Sequence, residues 1–161
     1  MTKNKKISAK QALEKAQYLC AQKEKCIEDI KHKFYQWGVN RCDFESLINS
    51  LIEDKFIDEE RYATAFVKEK FKFNQWGKIK IEYALKQKRI PEKFIHQALN
   101  EIPSEEYDLV LEKELLKKRK SIKDTDEHAI KSKLIRYASS KGFENGKIFD
   151  MVNSMINPLK D

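Results

Sequence analysis

The 161-residue sequence predicts an all-α fold built as three tandem three-helix repeats. Three observations carry the prediction. Val and Thr are scarce, with only Val39, Val67, Val110, Val152 and Thr2, Thr64, Thr125 in the whole chain. Strands draw on β-branched side chains, so only Ile is left to build a sheet, and Ile falls mostly at helical spacing. Glu, Lys, Leu, Gln and Ala fill the remainder, and these residues lose little rotamer freedom in a helix. Finally, a pair of helical segments recurs twice along the chain.

The helix boundaries follow from local chemistry. Ser8 to Gln11 forms a capping box that opens a helix over 9–22. A second helix, 26–37, stops at Gly38, because glycine suits the left-handed position after a helix. Asn40 with Asp43 is a weaker box opening 41–54. Asp58, Glu59 and Glu60 place a cap and carboxylates at the start of 59–73, where the helix dipole favours negative charge. A fifth helix spans 77–88. Pro91-Glu92 opens 92–101, and Pro103-Ser104-Glu105-Glu106 opens 104–120. Asp124 to Glu127 opens 126–140, which Gly142 closes, and 145–156 is the ninth helix.

The repeat appears when Ile30–Val39, Ile81–Ile90 and Leu134–Phe143 are aligned without gaps. Ile30, Ile81 and Leu134 coincide, as do Phe34, Leu85 and Ala138, and Val39, Ile90 and Phe143. The same offsets continue through Phe44, Ile95 and Ile148, then Leu47, Ala98 and Met151, then Ile48, Leu99 and Val152. This spacing gives each third helix one apolar face. A unit of roughly 50 residues buries little surface alone, so stacked neighbours must share apolar faces. The expected organisation is a basic tail at 1–7 and repeats at 8–57, 58–102 and 103–157. On the fourth helix, Tyr62 and Phe66 are core by spacing, and Phe71 or Phe73 is left exposed.

Composition narrows the function. Lys and Arg number 33 against 26 Asp and Glu, a formal charge of +7. Four glycines, and no GxxxxGK[ST] or GxGxxG, argue against nucleotide-binding loops. Cys20, Cys26 and Cys42 form no CxxC, so neither a disulfide framework nor a zinc module is expected, and Cys26 and Cys42 read as small core filling. His32, His96 and His128 have no metal-ligand spacing, and His32, between two lysines, reads as solvated. No cofactor, no metal and no enzymatic activity are expected. The start is basic but lacks a signal peptide's apolar run, and no stretch is long enough to span a membrane, so a cytoplasmic monomer is expected.

A family resemblance rests on Asp58-Glu59-Glu60-Arg61-Tyr62-Ala63 followed by Phe66-Val67. The continuation Gly77, Ile81, Leu85 and Lys88-Arg89-Ile90 supports it, as does the preceding Leu47–Ile57. These residues resemble the second repeat of the bacterial RecX family, regulators of the RecA recombinase. Arg89 stands where the family usually carries Gly. The resemblance is clear from about Leu13 to Leu99 and looser beyond. It implies an elongated, curved array of three-helix repeats that binds in the groove of a RecA filament on single-stranded DNA. It implies restraint of ATP hydrolysis, strand exchange and co-protease activity.

The residues themselves offer basic clusters. Lys78, Lys80, Lys86, Lys88 and Arg89 decorate the fifth helix. Lys117, Lys118, Arg119 and Lys120 form the densest run, with Lys113 and Lys123 flanking it, and Lys131, Lys133 and Arg136 follow. Such surfaces attract phosphates or an acidic protein without reading sequence. The competing reading is a solvated basic face that keeps the chain soluble. Trp76, before Gly77, either stacks on a base, anchors a protein interface, or packs at a seam between repeats. The expected partners are therefore the RecA filament and, weakly and without specificity, single- or double-stranded DNA. The alternative is a free-standing DNA-binding protein that docks a helix-turn-helix-like repeat in the major groove.

Overall fold

The computed structural model describes residues 6–156. Most of the expected basic tail, and position 157, lie outside the described residues. Among the described residues the chain forms nine α-helices and one 3-10 turn, with no strand. The helices are α1 (Ala9–Gln22), α2 (Ile27–Gln36), α3 (Phe44–Glu53), α4 (Glu59–Lys72), α5 (Lys78–Gln87), α6 (Glu92–Asn100), α7 (Ser104–Ser121), α8 (Glu127–Ser140) and α9 (Asn145–Ile156). The expected all-α class is what forms. Helices of this length are marginal alone in water, so each depends on the face it buries.

Local caps set the boundaries. The Ser8 hydroxyl accepts from Gln11 N–H at 3.2 Å, and the Gln11 side chain accepts from Ser8 N–H at 3.0 Å. Asp58 accepts from Arg61 N–H, and Asp126 from Ala129 N–H. Asn40 accepts from Cys42 N–H, two residues on, and this tight closure winds Arg41–Asp43 as a 3-10 turn before α3 begins.

The chain divides into two compact units. The first holds the described residues up to Phe66 together with Leu85–Ile95. Its core gathers Ala12, Ala16 and Cys20 of α1, Ile30 and Phe34 of α2, Leu47, Ile48 and Leu51 of α3, and Val39 and Ile57 from the turns. The second holds Val67–Ala84 and the described residues from His96 onward. There Tyr107 lies between Phe71 and Phe143, with ring centroids 5.8 and 5.3 Å apart. Leu111, Leu115, Leu134 and Ile148 are fully buried in the same unit.

The aligned positions share one environment. All are buried except Phe44 and Met151, which are half-buried. The turn after α2, α5 and α8 is also the same object three times. Val39, Ile90 and Phe143 donate their N–H groups to Phe34, Leu85 and Ala138 at 2.9, 3.1 and 3.2 Å. The preceding residues, Gly38, Arg89 and Gly142, have φ of 72°, 56° and 93°. This is the Schellman closure, with the following apolar side chain folded back onto the helix. Arg89 adopts the left-handed conformation although it is not glycine.

Two expectations are corrected. Phe66 is half-buried, while Val67 and Ala63 take the deep positions and Phe71 is buried as well. The buried stripe of α4 therefore runs along Ala63, Val67 and Phe71, with Tyr62 at its margin stacked on Phe66 at 5.9 Å. Phe73 is the exposed aromatic, at 80%. Cys42 is exposed rather than core filling, because the 3-10 turn carries it outward; Cys26 is fully buried.

Replacing Arg89 by Gly removes the left-handed strain of roughly 1–2 kcal/mol, partly offset by the looser unfolded chain. Urea unfolding is expected to show a net gain of up to about 1 kcal/mol. Gly142→Ala should behave oppositely. Its Cβ would stand 2.3 Å from Lys80 Cβ and 2.6 Å from Lys80 N, at a positive φ, and the expected loss exceeds about 2 kcal/mol. Gly146→Ala, in open space on α9, should be neutral or stabilising.

Candidate functional site

In the second unit the site begins with a helix that has no cap of its own. Trp76-Gly77 offers no side-chain oxygen to the first amides of α5, so those amides find partners far away in sequence. Gly77 N–H donates to Lys141 O at 2.7 Å and Ile79 N–H to Gly142 O at 3.0 Å. Lys78 N–H donates to the Tyr107 hydroxyl at 3.0 Å, which in turn donates to Glu144 Oε1 at 2.5 Å. Lys141 Nζ closes the other side on Asn74 O at 2.7 Å. The backbones meet so closely that a Cβ on Gly77 would lie 2.3 Å from Gly142 C.

This seam fixes Trp76. Its N–H donates to Lys70 O, and Gln75 before it has φ of 53°. The indole is half-buried, with the ammonium groups of Lys70 and Lys80 at 5.0 and 4.4 Å from the ring. Lys78 and Lys147 sit over Tyr107 at 5.0 and 5.8 Å, and Lys147 also pairs with Asp108 at 2.8 Å. Trp76, Lys78 and Lys80 are thus brought together as a cationic, aromatic edge. Burial, then the Glu144 carboxylate, pushes the Tyr107 phenol far above its usual range, so it stays a neutral donor. Sequence reading missed Tyr107, Lys70 and Lys147. The signal was the missing cap before α5, which asks what else accepts its amides.

In the first unit, Lys86 and Arg89 are exposed. Lys88 is half-buried and donates to Asp29 Oδ1 at 2.6 Å. Nearby, Arg61 binds Glu24 at 2.5 Å and caps Lys55 O at 2.9 Å. Cys26 N–H donates to Asp29, and one oxygen each of Glu24 and Glu59 is buried without a partner. Burial would raise Asp29, but Lys88 and the Cys26 amide outweigh it and hold the carboxyl below its usual value. Burial raises Glu59. The acidic motif therefore does more than cap α4. Arg61 and Lys88 tie α4 and the end of α5 to the start of α2.

The third group is on α7 and α8, in the second unit. Lys117 and Lys120 are exposed, and Lys118 and Arg119 half-buried. Lys118 lies over Tyr137 at 5.3 Å, and Tyr137 donates to Glu114, a buried carboxylate, at 2.6 Å. Lys131 pairs with Glu127 at 3.6 Å, Lys133 with Asp124, and Arg136 is exposed. Among the described residues no group of three or more His, Cys, Asp or Glu side chains could hold a metal ion, and no helix is long and apolar enough to cross a membrane.

Asp29→Asn should cost about 1 kcal/mol at pH 7. Asp29 has a lowered folded pKa, so its contribution is present above the unfolded value near 3.8 and disappears as pH falls through the folded one. Urea midpoints of parent and variant should draw together as the pH is taken below 3.8. Tyr107→Phe removes the bond to Lys78 N–H and strands Glu144, with an expected loss of about 1–3 kcal/mol by thermal or urea unfolding.

Residues 58–99 match the family model for the second three-helix domain of RecX. Regulatory protein RecX of Clostridium tetani is 33% identical over 132 residues, covering 81% of this chain and 58% of the relative. The protein of the same name from Vibrio parahaemolyticus is 28% identical over 152 residues, covering 94% and 91%. The chain spans about three fifths of the length of the clostridial relatives it matches. A crystal structure of regulatory protein RecX superimposes with a TM-score of 0.82 at 21% identity, over 91% of this chain and 71% of that one. RecX from Lactobacillus salivarius gives 0.77 at 17% identity, over 94% and 97%. The matched segment is the one that carries the acidic cap, Arg61, Tyr62 and the turn at Arg89, and with these relatives it establishes that the chain belongs to the RecX family of regulatory proteins.

Proposed function

We propose that this chain is a non-catalytic modulator of the RecA recombinase, acting in the cytoplasm. Its three repeats, 8–57, 58–102 and 103–157, lie along the groove of the RecA filament on single-stranded DNA. Bound there, it restrains ATP turnover, strand exchange and co-protease activity, and so regulates DNA repair, recombination and the SOS response. The observation that carries this reading is the match of residues 58–99 to the RecX domain, together with relatives named as regulatory proteins.

The geometry supports a binding role by what it presents. Trp76 stands on a backbone seam with lysines around its ring, a rigid aromatic anchor of the sort that dominates interface energies. Lys86 and Arg89 are exposed, whereas Lys88 is engaged by Asp29 and serves the fold. A ligand that binds two filament states unequally shifts their balance by the difference in affinity, so a regulator of this kind needs no chemistry of its own.

The test mixes the protein with RecA, single-stranded DNA and ATP. ATP turnover is expected to fall as the protein is added, with a change in filament length. No change with the protein in excess overturns the reading. Trp76→Ala, and separately Lys86→Glu with Arg89→Glu, should weaken the inhibition while circular dichroism stays unchanged. Full inhibition by either variant would remove those side chains from the contact.

A further inference from the structure

Almost all of the net charge sits in one segment. Residues 117–141 carry nine basic side chains against three carboxylates, +6 of the chain's formal +7. The fold shapes part of this segment into a groove. It is an open depression of about 680 Å³ between the end of α7, the 122–126 linker and α8. Lys118, Lys123, Lys133 and Arg136 line it, with the hydroxyls of Ser121 and Ser140 at its edge and Ile122 and Tyr137 contributing apolar surface.

From this geometry we infer that the groove is a phosphodiester-binding site for a single strand of nucleic acid. It rests on the regulatory reading above only for its biological setting, since the binding needs no filament. The cations come from three successive pieces of chain, and Lys133 and Arg136, three residues apart on α8, lie on one side of that helix, so positive charge enters the groove from each element that lines it. Asp124 takes Lys133 in the absence of a ligand. Lys123 and Arg136 make no ion pair among the described residues and keep their full attraction for an anion. Lys118 is held at the groove by the Tyr137 ring, whose own orientation is fixed by Glu114.

The serine hydroxyls presently donate to Lys118 O and Tyr137 O, one turn back on their own helices. Turned outward, each can donate to a phosphate oxygen. The lysines and arginine of the last turn of α7 also offset the helix dipole, but that role accounts for Lys118, Arg119 and Lys120 and not for Lys123, Lys133 and Arg136. An acidic peptide would use the cations alone. The apolar surface of Tyr137 and Ile122 beside them suits a sugar or base attached to the phosphate.

The test uses the full chain without RecA. A fluorescein-labelled oligothymidylate is titrated by anisotropy across a salt series. Lys123→Gln with Arg136→Gln should lower the slope of log affinity on log salt by about 1.4, and so weaken binding about 25-fold at 0.1 M salt relative to 1 M. The comparison pair, Lys10→Gln with Lys68→Gln, removes the same charge from exposed positions outside the groove and should leave the slope near the parent's. Unchanged melting temperatures establish that both pairs fold. Equal losses from both pairs overturn the site, because net charge alone would then be responsible. So does an unchanged slope for the groove pair, and so does tighter binding of polyglutamate or of phosphatidylglycerol vesicles than of the oligonucleotide. If the parent leaves RecA turnover unaffected but the groove pair loses oligonucleotide binding, the filament reading falls and the groove stands. The reverse pattern sinks the groove alone.

Discussion

The structure depends on one conformational constraint that recurs after α2, α5 and α8. After α2, α5 and α8 the chain must reverse sharply enough to return Val39, Ile90 or Phe143 to the core. Only a left-handed residue allows this, and the reversal then satisfies two of the helix's last carbonyls at once. After α2 and α8 that reversal aims the next helix, so that α3 packs against α2 and α9 against α8. A trio without it would expose two stripes instead of sharing one. Gly38 and Gly142 meet the constraint without strain, and Arg89 meets it against steric preference.

What could be read from the sequence was whatever chemistry reaches three or four residues. The Ser8–Gln11 box, the Asp58 and Asp126 caps and the glycine closures are all local, and each set a boundary within a residue or two of the observed one. The repeat was legible for a similar reason, since burial recurs at fixed offsets. Phe66 was misread because α4 carries apolar residues at both 62, 66 and 63, 67, 71. Spacing alone does not say which of two adjacent stripes faces inward. The neighbouring helices decide it, and they are distant in sequence.

The candidate site was legible as composition and not as arrangement. Lys78 and Lys80 beside Trp76 could be counted, but their grouping requires Tyr107 and the Gly142 turn to meet the start of α5. Lys88 looked like any other lysine of its cluster until Asp29, fifty-nine residues earlier, was seen against it. The run from Lys117 to Lys120 needed the linker after α7 to fold Lys123 and α8 alongside before it enclosed a groove. Long-range placement, rather than residue type, separates a structural cation from one that is available to a partner.

The three thiols divide sharply in chemical availability. Burial pushes Cys20 up to about 11 and Cys26 to about 12, with the first also beside Glu24 and the second enclosed below the α2 start. Cys42 alone faces solvent, on the 3-10 turn. A maleimide dye at neutral pH will therefore attach at one native position, giving a stoichiometric optical reporter without engineering the chain.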